Sequence, residues 1–114
     1  MENEQAIPQF ISLEKIPSQS LNLVLDEHEV NLEFICSNGY TYNWLTVDNE
    51  VINAGVLCNS NVRLNQRKLK LFPGSFFFIN NMKDNTQPYY EYFDTKFKFV
   101  FLNKEQTENL IGLL

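Results

Sequence analysis

The feature that most constrains this chain is a period-two alternation of side-chain character that recurs along most of its length. Successive residues of a strand point to opposite faces, so such a run settles which side chains travel together. In residues 20–26, Leu21, Leu23 and Leu25 share one face and Asn22 lies opposite. In residues 29–36, Val30, Leu32, Phe34 and Cys36 stand against Asn31, Glu33 and Ile35. Residues 40–47 set Tyr40, Tyr42 and Trp44 against Asn43, Leu45 and Val47, so both faces carry bulk. Residues 51–58 form a fourth strand candidate, in which Gly55 suggests a bulge or a close backbone approach. Later, Phe76 and Phe78 oppose Phe77 and Ile79, and Phe97, Phe99 and Phe101 alternate with Lys96 and Lys98.

Turn residues separate these runs. Asn38-Gly39 supplies the positive φ angles of a type I′ turn and marks the clearest hairpin. Asp26-Glu27-His28 and Asp48-Asn49-Glu50 are polar connections, and Pro73-Gly74 is a turn before the Phe-rich strand. Residues 59–70, with bases and spaced leucines, fit an irregular excursion or a ragged strand, and residues 82–88 are a polar loop. At the end, Asn103 followed three residues later by Gln106 has the spacing of a capping box. Leu110, Ile111, Leu113 and Leu114 would dock that helix, and Gly112 weakens it. The expected fold is all-β: a small antiparallel sandwich or barrel with a short C-terminal helix. Residues 1–9 are expected to be an N-terminal extension, and residues 10–114 a single domain.

The length of 114 residues fits one domain, and 44% hydrophobic against 20% charged residues is enough for a packed core. No apolar run approaches the roughly 20 residues that span a bilayer. The segment Met1 to Gln5 lacks the charged and apolar regions of a secretory signal, so a soluble protein without a leader is expected. The abundant Asn is read as codon bias of an AT-rich genome. Aromatic residues reach 14%, ten of them Phe, which suits pleated, half-buried surfaces. Phe on both faces of a strand further suggests that a partner covers part of this aromatic surface.

The net charge of −5 is uneven. Residues 1–60 hold nine acids against Lys15, giving −8. Residues 61–114 hold eight bases against five acids, giving +3. An acidic chain is poorly suited to sequence-independent nucleic-acid binding, which needs phosphate neutralisation. Cys36 and Cys58 are the two cysteines. They are expected to be reduced, buried thiols, since a pair alone does not supply the four ligands of a zinc site.

No chemistry converges in the sequence. His28 lies among Asp26, Glu27 and Glu29, but consecutive strand residues diverge, and a solvated hairpin tip accounts for the cluster. No nucleophile motif and no glycine-rich phosphate loop is present. Catalytic, cofactor-binding and metal residues are therefore expected to be absent. Arg63, Arg67, Lys68 and Lys70, with Phe76 and Phe78, form the candidate partner interface. The competing explanation is an edge strand protected by charge. The stripe of Tyr40, Tyr42 and Trp44 fits stacking on sugars, docking of a partner, or core packing. From the residues alone three classes stay open: an interaction protein, a small carbohydrate- or nucleic-acid-binding β-module, and an unrecognised small enzyme.

The order of these segments resembles the baseplate plug family of contractile-tailed bacteriophages. Ile16-Pro17 leads into the strand ending at Asp26, followed by Val30 to Phe34, Asn38-Gly39, and the aromatic strand Tyr40 to Trp44. Then come the acidic turn Asp48-Asn49-Glu50, Gly55-Val56-Leu57, Pro73-Gly74 and the apolar strand Phe99 to Leu102. The resemblance spans roughly residues 10–102. It departs at Asn65, which follows Leu64 where a second apolar residue would be expected.

The resemblance implies a structural virion protein without catalysis or cofactor: a plug at the baseplate hub that closes the tail lumen before genome ejection. It implies contacts with hub subunits and with spike or tape-measure proteins, in multiple copies. No membrane is implied, nor nucleic acid beyond incidental contact during ejection. The implied location is the tail baseplate of the virion, reached from the host cytoplasm during assembly.

Overall fold

The computed structural model of the chain describes residues 9–65, 74–82, 84 and 86–107. Seven strands, β1 (Gln9–Ile11), β2 (Ser18–Leu25), β3 (His28–Ser37), β4 (Tyr40–Val47), β5 (Glu50–Leu57), β6 (Ser75–Asn80) and β7 (Phe97–Leu102), form two antiparallel sheets. The first sheet runs β2-β3-β4-β5, and the second runs β1-β7-β6. The sheets stay open and pack face to face, so of the two expected architectures the sandwich is the one formed.

The first sheet is a meander of two-residue hairpins. Asn38-Gly39 has φ of 55° and 86°, the type I′ geometry its sequence calls for. Asp26-Glu27 (54°, 67°) and Asp48-Asn49 (50°, 69°) adopt the same left-handed pair without a glycine. β1 carries no alternation of its own. Its three residues pair with β7 through Gln9↔Phe101, Phe10↔Val100 and Ile11↔Phe99.

The inner faces are those the alternation selects. Val30, Leu32, Phe34 and Cys36 of β3 and Leu45 and Val47 of β4 meet Phe76 and Phe78 of β6 and Phe97, Phe99 and Phe101 of β7. The rings form one cluster: Phe34 packs edge-on against Phe78 (5.5 Å) and Phe99 (5.2 Å), and Phe76 stacks on Phe99 (5.6 Å). Each buried Phe contributes about 1.5–3 kcal/mol by leaving water. Seven of the ten Phe residues are fully enclosed here, so most of the aromatic surplus is consumed by the chain's own core. Phe76 and Phe78 of the expected interface are among these core residues, whereas Phe77, on the other face of that strand, is only half-buried.

Asparagine also has a structural task that the codon-bias explanation misses. Asn43, Asn53, Asn65 and Asn80 are all buried. Asn53 Nδ2 donates to Asn43 Oδ1 (2.9 Å) and to the Leu64 carbonyl, while Asn43 Nδ2 reaches the Glu33 carbonyl. These amides satisfy backbone groups where β5 and the 59–65 segment leave regular pairing. At the C-terminal side residues 104–107 are helical. The expected capping box is formed there: Asn103 N–H donates to Gln106 Oε1 (2.9 Å) and Gln106 N–H to Asn103 Oδ1 (2.8 Å). The apolar residues 110–114 of that expectation lie outside the described residues, as does Pro73.

Candidate functional site

The outer face of the first sheet gathers the stripe of Tyr40, Tyr42 and Trp44. Their alternates, Thr41, Asn43, Leu45 and Val47, are buried, so the three aromatics point away from the core. Register places Ile35 and Leu57 on either side of Tyr42, and Glu33 and Ala54 on either side of Trp44. Tyr40 is 48% exposed, and Val51 and Leu57 of β5 are exposed beside the stripe. The β2 side of the same face is polar, with Ser18, Ser20 and Asn22. One half of this outer face is therefore aromatic and apolar, the other hydroxyl, amide and carboxylate.

Gly55 sits beside the Trp44 ring and is favoured there by its backbone conformation rather than by lack of space. The glycine has φ of +71°, and a Cβ there would stand 3.5 Å from Trp44 Cζ2. The pairing of β4 with β5 shifts register next to Trp44, which is the bulge that Gly55 suggests in the sequence.

The sequence-derived interface residues do not form one surface. Phe76 and Phe78 are enclosed in the core, because β6 presents them to β3 and β7 rather than to solvent. Arg63 is half-buried, and its Nη2 donates to the Gly74 carbonyl (2.9 Å). Its Nε is enclosed with no hydrogen-bond partner among the described residues, and burial lowers its pKa. Arg67, Lys68 and Lys70 lie outside the described residues. Beside Arg63, an open groove of about 710 Å³ runs between β5 and residues 59–64, walled by Val51, Val56, Leu57, Val62 and Leu64.

The titratable groups are arranged for structure. His28 opens β3, and its Nδ1 lies 2.6 Å from Asp48 Oδ2 in the neighbouring turn, while Asp48 Oδ1 accepts the Glu29 N–H. Asp26 and Glu27 are the turn residues themselves. Among the described residues no group of three or more His, Cys, Asp or Glu could hold a metal ion. No helix in that set is long and apolar enough to cross a membrane.

Both cysteines are buried free thiols. Cys36 pairs with Thr41 across β3 and β4, and the Cys58 N–H donates to the Thr41 carbonyl from the other side. Two strand spacings, about 10 Å, thus separate the two backbones, beyond the reach of a disulfide. Burial raises both thiols, Cys58 most strongly, so neither is a ready nucleophile.

Comparison with curated proteins finds no match. The family model described as the cyanophage baseplate Pam3 plug gp18 matches residues 9–105. That span begins at β1 and runs past the last strand into the helical turn, so it takes in both sheets of the sandwich. The chain belongs to the cyanophage baseplate plug family.

Proposed function

We propose that this protein is the plug of a phage tail, seated at the baseplate hub, where it closes the lumen until the genome is ejected. The family match over residues 9–105 carries this reading, and it supports a structural role in a phage baseplate. The proposed task is mechanical and involves no catalytic step. Neighbours are the hub subunits, with spike and tape-measure proteins along the axis, and several copies act in one assembly. The protein is made in the host cytoplasm and ends in the virion.

The contact surface we propose is the aromatic half of the outer face, Tyr40, Tyr42, Trp44, Ile35 and Leu57, joined at the β5 edge by Arg63. The basic residues Arg67, Lys68 and Lys70, which follow in the sequence, are part of the proposal by their charge alone. Half-exposed aromatic residues beside charged ones are the composition of a protein contact, in which charge contributes register and steering more than affinity. Deleting the gene from the phage and supplying it in trans tests the role. Loss of infectious particles on deletion and recovery on complementation are expected. Normal yield from the deletion would remove the structural role.

A further inference from the structure

The two edges of the first sheet differ. β5 is irregular: its register shifts twice against β4, and Gly55 kinks it. β2 is regular, with eight consecutive pairs from Ser18↔Ile35 to Leu25↔His28 and no shift. The two-residue turn Asp26-Glu27 fixes its phase. Leu25 and His28 flank the turn as a hydrogen-bonded pair, so Leu23, Leu21 and Gln19 also bond inward to β3. The Pro17 carbonyl keeps the same phase by accepting the Cys36 N–H at 2.7 Å.

The N–H and C=O groups of Ser18, Ser20, Asn22 and Val24 therefore all point away from β3. β2 is the end strand of its sheet, and among the described residues no hydrogen bond reaches these eight groups. Natural sheet edges are usually blunted by charge, proline, a bulge or a covering segment. β2 contains no charged residue, no proline and no bulge, and Val24 is 73% exposed. The row from Ser18 to Val24 spans about 20 Å at roughly 3.4 Å per residue.

We propose that the free edge of β2 receives an extended strand of another protein, one bearing lysine or arginine, which continues the sheet through main-chain hydrogen bonds. Charge selects this occupant. Glu29 and Glu33 flank β2 on the outer face, opposite Val24 and Ser20, and Asp26 and Glu27 form the turn. Lys15 lies near the other end of the strand, but its Nζ is turned to the Phe93 carbonyl (2.7 Å). A second copy docking through β2 would set these acids against their own equivalents. A basic strand complements them instead. Ser18, Ser20 and Asn22 are short, so a lysine of the incoming strand can lie across them toward Glu33.

The test uses the isolated full chain, so its outcome is independent of the baseplate role. Amide NMR follows a titration with an eight-residue peptide of alternating lysine and valine, beside the same peptide with glutamate for lysine. The lysine peptide is expected to slow exchange at least tenfold at the amides of Ser18, Ser20, Asn22 and Val24, and the glutamate peptide to leave them unchanged. Asn22→Pro removes an outward N–H without touching the β3 bonds and should abolish the response. Asn22→Lys keeps every backbone group and should weaken it, which provides a variant that does not depend on proline being tolerated. No slowing, an equal response to the glutamate peptide, or shifts confined to the Tyr42 and Trp44 face would overturn the proposal. So would protection that grows with protein concentration in the absence of peptide, because the occupant would then be a second copy.

Discussion

The side chain of Asn65 substitutes for a missing strand neighbour of Phe76. Its Oδ1 accepts the Phe76 N–H at 3.0 Å, and its Nδ2 donates to the Gly74 carbonyl at 2.9 Å. Both groups belong to the edge of β6 that faces away from β7, and Asn65 itself is buried. The polar residue that departs from the family pattern thus completes the hydrogen bonding of an apolar strand.

Asn65→Leu keeps the size and removes both of these bonds, while the Gly74 carbonyl retains Arg63 Nη2 as a donor. Chemical denaturation should show a loss of about 1 kcal/mol, the net contribution of a buried hydrogen bond. An unchanged midpoint would mean that these bonds exchange freely with water.

Glu27 offers the opposite case. It holds φ of +67° in a two-residue turn where glycine is favoured. Left-handed backbone costs a side-chain-bearing residue about 1–2 kcal/mol, so Glu27→Gly should raise stability by up to about 1 kcal/mol after the entropy of glycine is subtracted. A lower melting temperature would contradict this.

Acid should weaken the fold through two surface carboxylates. Asp84 is held far below the usual carboxylate range by Lys96, then by Thr86 and Asn80. Asp48 is lowered by His28 and the Glu29 N–H. A depressed folded pKa gives stability that is present above the unfolded value near 3.9 and is lost as pH falls toward the folded value. Asp84→Asn should therefore melt below the parent at pH 6, with the gap beginning to narrow as pH falls through about 4 and narrowing further the more acid the solution. A gap independent of pH would show that ionisation of Asp84 is not its source.

The aromatic face can be separated from the fold. Tyr40 is exposed on the outer face at the start of β4, so Tyr40→Glu should change stability by no more than about 0.5 kcal/mol. In the complementation assay it should lower the yield of infectious particles several-fold. Wild-type yield would remove this residue from the contact surface.

What the sequence made legible follows from periodicity. Alternation assigned Val30, Leu32 and Phe34 to the core because a half-buried strand must segregate its faces. It could not decide between the two faces of β4, where Tyr40, Tyr42 and Trp44 are bulkier than the buried Thr41 and Asn43. Nor could it find β1, whose three residues are strand only because β7 lies beside them. Nor does alternation settle where Phe76 and Phe78 lie, because bulk on both faces of β6 fits a partner-covered strand as well as a core strand. In the fold β3 and β7 cover one face, and the other holds half-buried Phe77 and Ile79.

Electron cryomicroscopy of purified tails would show whether this chain occupies the tail axis. Density is expected on the tail axis at the baseplate hub that fits a sandwich of four and three strands and is missing from tails made without the gene. Tails whose axial density is the same with and without the gene, or density for this chain on the outside of the baseplate, would contradict it.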